Sequence, residues 1–153
     1  MAARAIVSGD KEIRANLRAV RAAVGGRTMD ADIVTSLEPM REQTAENAYK
    51  HRQPHNPPGG HLDEGVVIAK RNSRGPLYRE FWVTFKGRAR KLAHLLEFGT
   101  APHPQPNRGI FHPGARAFPF FRPAFEETKQ EVALTLGQRV WGRISGAVKR
   151  VSR

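Results

Sequence analysis

Across residues 10–24 the apolar side chains Ile13, Leu17, Val20 and Val24 recur every three or four positions, with Arg14, Arg18 and Arg21 on the other faces. That is the period of an amphipathic helix. Ser8 or Asp10 stands where its cap belongs, and Gly25-Gly26 ends it. A second stripe, Ile33, Leu37, Met40, Thr44 and Ala48, predicts another helix, with caps offered by residues 28–32 and an end near His51. Pro39 lies inside it and predicts a kink or a restart.

Residues 53–60 hold Pro54, Pro57, Pro58 and a glycine pair, a composition that breaks regular structure and marks a turn or hinge. The pattern then changes period. Val66, Val67 and Ile68 sit in a short strand over 64–71, and turn residues follow at 72–76. In 78–86, Tyr78, Glu80, Trp82 and Thr84 alternate with Arg79, Phe81, Val83 and Phe85. The second set is the expected core face of a strand that pairs antiparallel with the first. Leu92, Leu95 and Leu96 predict a short helix over 89–98, with a strand after Ala93 as the alternative. Residues 101–117, with Pro102, Pro104, Pro106 and Pro113, show neither period and are longer than an ordinary loop, so an ordering partner outside the monomer is expected. Pro123 suits the first turn of a last helix carrying Phe125, Val132, Leu136, Val140 and Ile144, with fraying expected from about Gly146. The sum is an α+β chain: two N-terminal helices, a small antiparallel sheet, a long Pro-rich loop and a long C-terminal helix. It reads as one domain over 1–153, with a peripheral helix in 1–27, a core in 28–148 and a basic tail in 149–153.

Charge changes this picture more than hydrophobicity does. The chain has 26 Lys and Arg against 14 Asp and Glu, a net +12, so copies repel one another unless acids lie across each contact. Most of the cations are spread along the sequence, which fits a soluble basic surface. The end of the chain concentrates them: Arg139, Arg143, Lys149, Arg150 and Arg153 occur there without a carboxylate and are the candidates for facing DNA or an acidic partner. There is no cysteine, which removes disulfides, thiolate metal sites and a Cys nucleophile. No apolar run is long enough for a membrane span, and residues 1–8 lack the apolar core of a secretory signal, so synthesis in a cytoplasm is expected.

Candidate chemistry is sparse. The six histidines, His51, His55 and His61 near the first Pro-rich turn and His103 and His112 in the long loop among them, show no metal-ligand spacing. His55-Asn56 lacks the flanking strand, helix and ligands of a His-Asn-His nuclease. Glu126 and Glu127 at the start of the last helix are explained by its macrodipole. No nucleophile elbow or phosphate loop occurs. No enzyme activity, cofactor or metal is expected.

The segment LLEFGTAPHPQPNRGIFHPGARAFPFFRPAF, residues 95–125, carries the strongest pattern. Its Glu97-Phe98-Gly99-Thr100, followed after the Pro-rich loop by Pro119-Phe120-Phe121-Arg122-Pro123-Ala124-Phe125, resembles the "EFGT … PF-RPA" signature of the tailed-phage tail-completion family. That family also goes by minor tail or head-tail joining protein and is similar to the lambda minor tail protein Z group. The resemblance extends over residues 28–148, and Gly60-His61-Leu62-Asp63 stands at the family's Gly-x-Leu segment, with His61 where a basic residue is more usual. It implies a structural virion component that forms a homo-oligomeric ring, a hexamer by expectation. Its neighbours would be the head-tail connector or stopper and the tail terminator or tail tube, with passing contact with genomic DNA. It implies no catalytic residue.

Within the segment, Glu97 is expected to pair with an arginine such as Arg122 of its own or a neighbouring subunit, or else to end an element as an exposed carboxylate. Gly99 is expected to supply a positive φ or to admit another backbone. Phe118, Phe120, Phe121 and Phe125 are of a kind more often found in a core than on a binding surface, yet so short a segment cannot point all four one way, and two of them are candidates for facing a neighbour. The expected subunit-interface set is therefore Glu97, Phe98, Gly99, Thr100, Phe111, Phe118, Phe120 and Arg122. The competing reading is a basic nucleic-acid-binding module.

Overall fold

The computed structural model describes residues 9–51, 61–71 and 78–151. The turn at 53–60, the loop at 72–76, the Ser8 cap, His55 and Arg153 lie outside the described residues. Helix α1 (Asp10–Ala23) and helix α2 (Gly26–Tyr49) are followed by strands β1 (Val66–Arg71) and β2 (Glu80–Phe85) and helix α3 (Ala89–Phe98). Two short strands, β3 (His103–Gln105) and β4 (Ile110–His112), precede the long helix α4 (Phe121–Val151). The chain is α+β and mostly helical, as its periodicities predict. No described helix is long and apolar enough to cross a membrane.

α2 and α4 form the spine and run antiparallel. Asp32 near the start of α2 meets Arg139 and Arg143 late in α4, whereas Asn47 near its end donates from Nδ2 to the Phe120 carbonyl at 3.2 Å. The buried column of α2 is Asp32, Ser36, Met40, Thr44 and Ala48, a ridge of strict four-residue spacing that packs against the facing helix. Only the last three belong to the predicted stripe; Ile33 and Leu37 are half-buried beside it. Ser36 and Thr44 are admitted because their hydroxyls donate to the Asp32 and Met40 carbonyls at 2.8 and 2.7 Å. Pro39 does not restart the helix. An interior proline costs about 3 kcal/mol, and the burial of Ser36, Met40 and Thr44 on either side of it holds the segment helical.

β1 and β2 pair antiparallel, with Val66 opposite Phe85 and Arg71 opposite Glu80. Arg79, Phe81, Val83 and Phe85 are the more covered set, as alternation predicts, and Trp82 is exposed. Asp30 ties this hairpin to α2 through Lys70 at 2.5 Å and Arg79 at 3.1 Å. The core joins Ala48, Ala93 and Phe120, with Leu62, Phe85, Leu96 and Phe121 around them. Phe85 meets Phe120 edge-on, with ring centroids 5.7 Å apart.

Three expectations change. α3 forms over the predicted residues but turns Ala89, Ala93 and Glu97 inward, leaving Leu92 and Leu95 exposed, because small side chains let it lie close to the core. The glycines do not end the last helix at Gly146, where fraying is expected. α4 runs through Gly137, Gly142 and Gly146 to Val151, and Ala147 is buried where Ala19, Ala22 and Ala23 of α1 approach. Tertiary contact there outweighs the helix propensity the glycines lack. Residues 101–117 are also not without structure. β3 and β4 pair antiparallel, His103 opposite His112, around a turn at Pro106–Arg108, so the segment is a hairpin arm formed within the monomer.

Candidate functional site

The segment 95–125 closes into a clasp around the start of α4. A helix begins with four backbone N–H groups that have no partner inside it. In α4 these fall on Phe120, Phe121, Arg122 and Pro123. Glu97 Oε2 accepts from Phe120 N and Phe121 N, each at 2.9 Å, and Oε1 accepts from Arg122 N at 3.1 Å. Pro123 has no N–H to leave unmet. One carboxylate, delivered from the last turn of α3, therefore satisfies every donor at this helix end, and its charge faces the positive end of the macrodipole.

This corrects the reading of Glu97. It is neither exposed nor ion-paired with the Arg122 guanidinium; it is 9% exposed and bonded to backbone. The contact with Arg122 is real but runs through that residue's amide. An acid at a bare helix N-terminus gains three oriented donors that cost no side-chain ordering, and a flexible arginine offers less.

The rest of the clasp is backbone. Gly99 has φ 71° and ψ −175°, a conformation essentially restricted to glycine. A Cβ there would stand 2.5 Å from the Ala115 carbonyl oxygen and 2.8 Å from Ala117 N. Both expected roles of Gly99, positive φ and close approach, are thus met together. Thr100 N donates to Ala115 O at 2.9 Å, Ala115 N returns the bond to Thr100 O at 3.1 Å, and Phe118 N donates to Leu96 O at 2.8 Å. Gly114, at φ 89°, would place a Cβ 2.4 Å from Thr100 O. These bonds draw the two ends of the arm together and hold its base.

The expected interface residues consequently divide. Glu97 and Phe120 are buried, Phe120 at 1% exposure, and Gly99 and Thr100 serve the clasp, so these four work inside the monomer. Phe98, 79% exposed, and Phe111, 67% exposed, point their rings outward. Phe118 is partly covered by His51, 4.7 Å away between ring centroids, and the Arg122 side chain is exposed. Phe98, Glu97, Phe120 and Arg122 also border a cavity of about 370 Å³ with Arg90 and His94.

The basic residues at the chain end divide as well. Arg143 bonds the buried Asp32 through Nε and donates from Nη2 to the Thr28 carbonyl at 3.2 Å, while Arg139 Nη1 lies 3.5 Å from Asp32. The bond from Arg143, and to a lesser degree Arg139, holds the Asp32 carboxyl below the ordinary aspartate range against the opposing effect of its burial. Arg150 donates to the Gly146 carbonyl at 3.2 Å, and Lys149 is exposed. Asp32 is the residue that sequence reading missed. Its signal is its place in the four-residue column with Ser36, Met40, Thr44 and Ala48, which an apolar-only count passes over. Among the described residues no three His, Asp or Glu side chains converge as metal ligands.

No family model, curated protein or solved structure matches the chain.

Proposed function

We propose that this chain is a structural component of a tailed-phage neck or tail, a subunit of a ring that completes the joint between the head-tail connector and the tail tube. The observation that carries the reading is the hairpin arm. Its two ends are pinned by the clasp, its main packing is strand on strand, and it presents Ile110 and Phe111 to solvent. A two-stranded hairpin alone is marginally stable in water, and exposed large apolar side chains on such an arm mark a contact surface. The resemblance of residues 95–125 to the tail-completion signature supports the same reading. In it, the arm reaches a neighbouring subunit, the spine of α2 and α4 keeps the subunit rigid, and the virion is where the protein works. The role is assembly, without catalysis or a cofactor.

The rival, a basic nucleic-acid-binding module, relied on the cations of the last helix. Two of them, Arg139 and Arg143, are engaged by Asp32. Light scattering with negative-stain imaging, over several protein and salt concentrations and with and without DNA, separates the readings. Closed rings in the absence of DNA are expected, and Ile110→Ser with Phe111→Ser should abolish them while leaving the monomer folded. A monomer that changes only with DNA, and releases it as salt rises, would instead favour the module.

A further inference from the structure

We infer that the outward stripes of α3 and α4 are the two halves of one interface between copies of this chain; the inference rests on the ring reading and names its contact. On α3 and the residue before it, Arg88, Lys91, Leu95 and Phe98 follow one another at spacings of three, four and three, and all are exposed. On α4, Glu127, Glu131, Leu134, Gln138 and Trp141 follow at four, three, four and three, again all exposed. Such spacing places each set on one face of its helix. Both stripes begin with two charges and end with large apolar side chains. Leu134 and Trp141 are 66% and 70% exposed, and together on one face they make an apolar patch.

The two stripes complement each other. Set parallel, the cations of α3 meet the acids of α4, while Leu95 and Phe98 meet Leu134 and Trp141. At about 1.5 Å of rise per residue, the charged and apolar pairs are centred about 10 Å apart on α3 and about 13 Å apart on α4, so both ends engage at once.

The charge distribution favours a second copy as the occupant. A chain of net +12 associates with itself only where acids face cations. Most of its acids are engaged within the monomer: Asp30, Asp32 and Glu97 as described, Asp10 by Arg14, Glu38 and Glu42 by Arg41, Glu46 by Lys50, Glu80 by Arg71, and Glu126 by Lys129. Among the described residues, Glu127 and Glu131 form no ion pair, nor do Arg88 and Lys91. Because the two halves are different surfaces, the contact is head-to-tail, the kind that closes into rings or runs on as filaments.

Charge reversal in the full chain tests this. Arg88→Glu with Lys91→Glu, or Glu127→Lys with Glu131→Lys, should weaken self-association roughly tenfold or more, the scale on which like charges penalise an interface. An equimolar mixture of the two variants, and a single chain carrying all four changes, should both recover it. In a Trp82→Phe background, Trp141 emission should shift to the blue as wild-type assemblies form and stay red in either reversed variant. All four charges are exposed, so circular dichroism should report unchanged helix throughout. Reversals that leave the particles intact would overturn this interface and leave the ring reading standing. Loss without recovery in the mixture would also overturn it, assigning those residues to an acidic or nucleic-acid partner. A wild-type chain that stays monomeric overturns both.

Discussion

α4 is held at two places by one buried carboxylate each, at its N-terminus and in its C-terminal half, and by different chemistry. At the N-terminus Glu97 takes three backbone amides, although Arg90, His94 and Arg122 border the same cavity. Toward the C-terminus Asp32 takes two guanidinium groups, from Arg139 and Arg143. Helix geometry accounts for the difference. The first turn presents unpaired N–H groups that only an acceptor can satisfy, whereas farther along every amide is used and only side chains remain. In this strongly basic chain, the nearest cation is therefore not the partner of the acid buried at the start of α4; the backbone donors take it.

The sharpest way to break the N-terminal half of this comparison is Gly99→Val. The φ and ψ of Gly99 alone cost a non-glycine residue roughly 1–3 kcal/mol, and the added side chain meets the Ala115 carbonyl and Ala117 amide at an overpacking cost of similar size. A loss of about 4 kcal/mol in urea unfolding is expected. Glu97→Ala comes next. It leaves three helix-end donors without their acceptor, for an expected loss of roughly 3 kcal/mol. Glu97→Gln keeps an acceptor oxygen without the charge and should lose about half as much. If Glu97→Ala unfolds at the same urea concentration as wild type, the carboxylate does not hold the helix start.

The clasp shows how far the sequence could be read. The segment stands out because Glu97-Phe98-Gly99-Thr100 and residues 119–125 are dense in special residues, and the role of Gly99 follows from its lack of a Cβ. The partner of Glu97 was not legible, because backbone amides have no letter in a sequence and these lie more than twenty positions away. The hairpin arm escaped for a related reason. Its pairing, His103 with His112 and Gln105 with Ile110, is carried by backbone bonds across a proline-rich stretch where side-chain alternation gives no signal. The helices were legible because their periods extend over many residues. Their buried faces were less so: alanine, serine, threonine and aspartate fill the columns where helices come closest, while the leucines of α3 look outward.

Asp32 sharpens the other half. Asp32→Asn leaves two partly solvated arginines facing a neutral amide, for an expected loss of roughly 1–2 kcal/mol. Its pH dependence has a definite sign. The Asp32 carboxyl is held below its ordinary value in the folded chain, foremost by its hydrogen bond from Arg143. The charged form is therefore favoured by folding, and the stabilisation is complete above the unfolded-state pKa and disappears as pH falls through the lowered folded one. The gap in melting temperature between wild type and Asp32→Asn should be constant at neutral pH and close only below the usual aspartate range. A gap that closes between pH 6 and 8 would point to a histidine instead.

The smallest effect separates the two arginines. Arg143 has the closer contact and a second bond to the Thr28 carbonyl, whereas Arg139 sits at 3.5 Å with its side chain 40% exposed. Arg139→Gln should cost about 0.5 kcal/mol, within the range of exposed ion pairs, and Arg143→Gln clearly more. In an Asp32→Asn background the Arg139 effect should vanish, while part of the Arg143 effect persists through Thr28. Equal losses from the two arginines in that background would mean that both act through something other than Asp32, and the parallel with Glu97, one acid for each half of α4, would fail.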